Sequence, residues 1–214
     1  MNESKTLIQL AVDALDFNAS VDLVAEVSPY IDIIEIGTPC IKHNGINLVH
    51  KLREDHPDKL LLVDLKTMDA GEYEAMPFYE AGADICTVLG ASGFPTIAGV
   101  VKAANKHGAQ AQVDMINVPD KVGCAIGSVD VGAHIVGIHT GLDAQAAGAT
   151  PFSDLNEIVG LGLSVKISVA GGINLSTAEN VMRAGADIVV VGAAIYGAPS
   201  PVDSAREIYQ CINN

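Results

Sequence analysis

The sequence predicts a closed (β/α)8 barrel, the TIM-barrel fold class, and three observations carry that expectation. Eight short apolar runs rich in Val and Ile are spread along the chain, at residues 7–12, 31–36, 60–65, 85–89, 110–115, 135–139, 165–170 and 188–191. Each is followed by a stretch with helical patterning, which is how repeated β–α units around a parallel sheet read. Charged residues break several of the runs at their C-terminal ends, where a barrel gathers its reactive groups.

Taken in order, the first run is followed by Asp13 and leads into a helix at 19–27, and the second carries Glu35 within Ile33-Ile34-Glu35-Ile36 and leads to a helix at 46–55. The third holds Asp64 and is followed by Lys66, with Asp69 as the expected N-cap of a helix at 70–81. The fourth precedes a helix at 95–106, and the fifth ends around Asp114 before a helix at 121–131 capped by Asp120. The sixth stops at His139, and a loop of small and polar residues through Gly148, long enough for a lid, separates it from a helix at 154–160. The seventh precedes a helix at 177–184 capped by Ser176, and the eighth one at 202–212.

An internal echo supports the repeat. Ala81-Gly82-Ala83-Asp84-Ile85 returns as Ala184-Gly185-Ala186-Asp187-Ile188, and more weakly as Val131-Gly132-Ala133-His134-Ile135. In each, the Gly can close a helix in the left-handed conformation just before a strand begins. An open doubly wound sheet is the competing architecture, but the first strand is not followed by the Gly-x-Gly-x-x-Gly turn that would favour it. The expectation is one barrel domain over residues 1–214.

A net charge of −14 with no run of Lys or Arg argues against nucleic acid and anionic membrane as partners. It does not argue against a small anion, because backbone N–H groups can favour one locally. Cys40, Cys86, Cys124 and Cys211 show no paired ligand spacing and are expected as reduced thiols of a cytoplasmic protein. Neither a signal segment nor a membrane span is expected.

The strand ends hold the candidate chemistry. Asp64 and Lys66 are two apart, so on a strand both face the same way, and Asp69 follows on the turn. Such a triplet could be only a self-satisfying ion network. Its company favours function: Glu35 stands on the neighbouring strand, and two carboxylates with water and substrate oxygens are the usual protein share of a Mg2+ site. His139 is the one His of six at a strand end, and its pKa near neutrality suits proton transfer. Ala170-Gly171-Gly172 and Gly192-Ala193 follow the last two strands, where barrels often cradle phosphate.

With Ile33-Ile34-Glu35-Ile36-Gly37-Thr38-Pro39, the Asp64-Leu65-Lys66-Thr67-Met68-Asp69 block, His139-Thr140-Gly141-Leu142-Asp143 and Val169-Ala170-Gly171-Gly172-Ile173 on the page, the chain resembles the orotidine 5′-phosphate decarboxylase suprafamily. Within it the likeness is to 3-hexulose-6-phosphate synthases. The decarboxylases of 3-keto-L-gulonate 6-phosphate, the rival branch, usually read His-Arg-Ser-Arg-Asp after the strand-end His, carry Thr before the Gly pair and tend to have Arg after the last strand Gly. Here those places hold Thr140-Gly141-Leu142, Ala170 and Ala193.

The resemblance implies a homodimeric aldehyde-lyase that joins formaldehyde to D-ribulose 5-phosphate through an enediolate. It further implies Mg2+ on Glu35 and Asp64, proton transfer by His139 and donation by Lys66. Asp13 and Asp114 would position the substrate and Lys66, and Asp69 would reach the neighbouring subunit's site.

Overall fold

The computed structural model describes residues 5–213, and in it eight parallel strands close into a barrel in sequential order. They are β1 Leu7–Val12, β2 Ile33–Ile36, β3 Leu60–Thr67, β4 Ile85–Leu89, β5 Gln110–Asp114, β6 Ile135–His139, β7 Lys166–Ala170 and β8 Ile188–Val191. Pairing of β1 with both β2 and β8 closes the ring and excludes the open sheet.

The helices are α1 Phe17–Val27, α2 Thr38–Asn44, α3 Ile46–Asp55, α4 Gly71–Glu80, α5 Phe94–Lys106, α6 Lys121–Asp130, α7 Leu142–Ala146, α8 Phe152–Gly160, α9 Leu175–Arg183, α10 Ala193–Tyr196 and α11 Pro201–Asn213. Three of these, α2, α7 and α10, were not expected. Each is short and lies between a strand end and the main helix of its unit, and α7 occupies part of the segment read as a loop after His139.

Two expected caps are corrected. Ala70, at φ 50°, caps α4 in place of Asp69, and no side chain bonds there. Ser176 lies inside α9, which Asn174 caps instead, trading hydrogen bonds with Thr177. Asp120 does cap α6, accepting from the Gly123 N–H.

The Gly echo has the geometry it implied: Gly82, Gly132 and Gly185 have φ of 103°, 89° and 102°. At the first, Gly82 N–H reaches the Tyr79 carbonyl and Ala83 N–H the Phe78 carbonyl, a Schellman end that turns the chain into β4.

Strand alternation sorts the core into two shells. Outward residues such as Ile8, Leu10, Ile34, Ile36, Leu61, Val63, Val113 and Val169 pack beneath the helices. Inward residues Ile33, Leu62, Ile85, Ile135, Ile188 and Val190 form a separate apolar cluster inside the barrel. Fully burying each of these aliphatic side chains stabilises by ~2 kcal/mol, so the base of the barrel is a packed plug. Toward the C-terminal ends the interior turns polar, with Gln9, Glu35, Asp64, Thr87, Gln112, Asp114 and Ser168 all buried.

Helices α4 and α5 touch through glycine. A Cβ on Gly71 would stand 2.1 Å from the Thr96 carbonyl oxygen, and one on Gly99 would stand 2.9 Å from the Glu72 nitrogen. Gly71→Ala is expected to cost about 1–3 kcal/mol by forcing the helices apart. Gly160→Ala, where nothing lies within 4 Å, serves as control. Urea unfolding of both checks this, and equal midpoints would show that the helix pair yields freely.

Among the described residues no helix is long and apolar enough to cross a membrane. All four cysteines are free thiols, as expected, three of them buried.

Candidate active site

A cavity of about 650 Å³ opens at the C-terminal end of the barrel. Asp13, Glu35, Asp64, Lys66, Asp114, His139, Ala170, Gly171, Gly172, Gly192 and Ala193 all line it. Asp69 does not. It is exposed just before α4, outside this chain's cavity.

Lys66 is the centre of the polar set. Its ammonium lies 3.0 Å from an Asp64 oxygen and 2.6 Å from Asp114 Oδ2. Burial alone would lower its pKa, but the two carboxylates override that and raise it. Lys66 is therefore a fixed cation, the wrong state for a Schiff-base nucleophile.

The way Lys66 gets there differs from the simple two-residue spacing. β3 shifts register against β4 between Val63 and Thr67, and Lys66 takes φ 48°, a strained left-handed conformation for a residue with a long side chain. Thr87 on β4 holds the irregularity in place. Its hydroxyl accepts from the Lys66 N–H at 3.0 Å and donates to Asp64 Oδ1 at 2.7 Å. Thr38, from the start of α2, donates to the other Asp64 oxygen.

Glu35 is buried and receives one hydrogen bond from Gln9 Nε2 at 2.7 Å. Burial and then the charge of Asp64 push its pKa up to about 8. Among the described residues no Lys, Arg or His forms an ion pair with it. Two facing carboxylates, one lacking a cation, are a donor set that fits a hard divalent ion. No three His, Cys, Asp or Glu side chains converge among the described residues, so water and substrate oxygens would complete the shell.

His139 pairs through Nδ1 with Asp114 at 3.0 and 3.2 Å. Burial works against a charge on the ring, but the Asp114 hydrogen bond and charge prevail and raise its pKa above 6.5. Asp114 is itself buried, which opposes its charge. His139 and Lys66 nonetheless hold it down at about 2, and the Ile116 N–H also reaches it at 2.9 Å. With Nδ1 so engaged, Nε2 is the ring nitrogen left for proton transfer.

Asp13 has a raised pKa, from burial and then from Asp64. It rests against Gly37, where a Cβ would stand 2.1 Å from its Oδ1. Only Gly allows the carboxylate to lie against that turn. The loop after β7 is equally constrained: Gly171 and Gly172 have φ of 119° and 69°, and a Cβ at Gly171 would meet the Thr140 carbonyl oxygen at 2.6 Å. This keeps backbone open to the cavity, the arrangement that suits an anion.

Sequence reading missed Gln9, Thr38, Thr87, Gln112 and Ser168, which also line the cavity. A usable signal exists for two of them, since Gln112 lies two before Asp114 and Ser168 two before Ala170, on the same inward face.

Buried acid–base groups around a fixed ammonium at the mouth of a (β/α)8 barrel define a barrel enzyme. The sequence matches the model of the orotidine 5′-phosphate decarboxylase / HUMPS family over residues 6–208. The chain belongs to that family.

Its relatives include a 3-hexulose-6-phosphate synthase of Methylomonas aminofaciens, 58% identical over 94% of this chain and 97% of the other. The crystal structure of 3-hexulose-6-phosphate synthase from Salmonella typhimurium superposes with a TM-score of 0.94, at 38% identity over 97% and 98% of the two chains. 3-Keto-L-gulonate-6-phosphate decarboxylase from Vibrio cholerae gives 0.85 at 29% identity, covering 98% of each. The chain is an enzyme, a carbon–carbon lyase.

Proposed function

We propose that this enzyme reversibly condenses formaldehyde with D-ribulose 5-phosphate to D-arabino-hex-3-ulose 6-phosphate. The observation that carries the reading is the linked set Asp64–Lys66–Asp114–His139, with Glu35 beside it, at the cavity mouth. Identity to synthases above that to decarboxylases supports the choice of reaction. So does Leu142, which lines the cavity where the rival branch carries Arg.

In this reading neutral His139 takes the C1 proton of the ketose through Nε2, while Asp114 holds the ring in orientation. The Lys66 ammonium donates to an enediolate oxygen, and Asp13 positions the sugar hydroxyls. The loops at 170–172 and 192–193 hold the phosphate on backbone N–H groups. Glu35 and Asp64 would hold Mg2+, whose chemistry when bound is to neutralise the charge that develops on the substrate oxygens.

In this reading Asp69, exposed just before α4, serves the site of a second copy of this chain. Tyr73 and Met68, beside it, are 84% and 56% exposed, an apolar patch suited to a homodimer. We further propose a cytoplasmic location, for which the free thiols give support.

The test is product formation from ribulose 5-phosphate and formaldehyde with and without Mg2+, run beside 3-keto-L-gulonate 6-phosphate. Turnover of the latter alone would reverse the reading. Glu35 adds a pH signature. Because its pKa stands at about 8, Mg2+ must displace a proton at neutral pH. Affinity should rise about tenfold per pH unit up to that value and flatten above it. Calorimetry in buffers of different ionisation enthalpy measures the proton released. Proton-independent binding would remove Glu35 from the metal site.

A further inference from the structure

Beneath the catalytic groups the cavity continues one layer deeper, to a floor that the reading above leaves without a task. Gln112, Gly137 and Ser168 form it, from three adjacent strands. Gln112 is 7% exposed and Ser168 1%, and Gln112 Oε1 has no hydrogen-bond partner. That oxygen is an acceptor, which an aldehyde carbonyl cannot pair, so what meets an entering carbonyl is the pair of donors beside it in the cavity lining, the Gln112 amide nitrogen and the Ser168 hydroxyl.

The geometry is convergent. A methyl on Gly137 would stand 3.0 Å from Gln112 Nε2 and 3.2 Å from Ser168 Oγ, tighter than ordinary packing, so an amide donor and a hydroxyl converge over a residue whose lack of a side chain lets them come together. Below it the buried side chains of Ile135 and Ile188 close the barrel. Above it, two residues along β6, stands His139, about 6.6 Å higher by strand rise.

We propose that this floor is the subsite for the one-carbon aldehyde, with the Gln112 amide and the Ser168 hydroxyl donating to its carbonyl oxygen. This rests on the condensation reading. In that reading the two glycine loops hold the phosphate and Glu35 and Asp64 serve the metal-binding oxygens of the sugar, which leaves the Gln112 and Ser168 donors for the second substrate. The electron pair at C1 forms the new carbon–carbon bond, and the aldehyde π pair moves onto its oxygen. The alkoxide then takes back the proton that His139 removed from C1, so no further reactant is needed. Donors aimed at an oxygen that gains charge only in that step stabilise the transition state more than the ground state. The apolar base also sets the size limit, since an aldehyde with a methyl group would press on Ile135 or Ile188.

Two activities of the full enzyme with Mg2+ separate the roles. Exchange of the C1 proton of ribulose 5-phosphate in D2O, followed by NMR without formaldehyde, reports enediolate formation alone. Condensation reports both halves. For Ser168→Ala and Gln112→Leu the expected result is a fall in kcat/KM for formaldehyde about 10- to 100-fold greater than the fall in exchange. Gly137→Ala should do the same by pushing the two donors apart.

Parallel falls in exchange and condensation would assign the floor to the sugar and overturn the proposal. An unchanged kcat/KM for formaldehyde would leave the floor to water and overturn it equally. If the unaltered enzyme exchanges no C1 proton and forms no product, the condensation reading itself fails, and the subsite with it.

Discussion

Asp64→Ala is expected to abolish both condensation and C1 proton exchange, with a fall in kcat of about 10³-fold or more. The magnitude follows from how much converges on this carboxylate. It accepts hydrogen bonds from Thr38 and Thr87, pairs with the Lys66 ammonium and faces Glu35. Removing it deletes a proposed metal ligand and lets Lys66 swing fully onto Asp114. The Lys66 bulge also loses the link by which Thr87 ties it to Asp64. The fold should survive, because Lys66 keeps one carboxylate and Glu35 is relieved of a like charge. Circular dichroism and the unfolding midpoint would establish that, and a folded variant within tenfold of the parent turnover would move the metal and the chemistry elsewhere. Loss of exchange is the distinguishing part, since variants of the barrel floor are expected to retain most of it.

The barrel was legible because its strands are buried on both faces, so each reads as an unbroken apolar run that ends where polarity is required. Asp13, Glu35, Asp64, Lys66, Asp114 and His139 stood out for the same reason: a charged residue at the end of such a run has no packing role to explain it. What was not legible depends on neighbours distant in sequence. Lys66 could be placed by a spacing of two, but its left-handed backbone depends on a hydroxyl from β4 that no local pattern reveals. Asp69 looked like a helix cap, and the turn into α4 is made instead by the conformation of Ala70. The short helices α2, α7 and α10 are too brief to show a helical period. Gln112 and Ser168 could have been read from their spacing of two to Asp114 and Ala170, but a polar residue within a strand looks like an exposed position until the barrel closes around it.

His139 carries the second large effect. His139→Ala should lower exchange and condensation together by about 10²- to 10⁴-fold, the range for loss of a placed general base. The sharper outcome concerns pH. A base must be neutral to accept a proton, so the rate should climb as pH rises through the His139 pKa, which Asp114 holds above 6.5. Asp114→Asn removes the charge that favours the imidazolium, and the ring then titrates at lower pH. The acidic limb of kcat/KM for exchange should therefore move toward acid in that variant even as the maximum rate falls, because Lys66 also loses a partner. A purely structural His139 would give a lower plateau with the limb unmoved. Measuring the exchange profile of the parent and of Asp114→Asn decides between them, and a limb that stays in place would take proton transfer away from this residue.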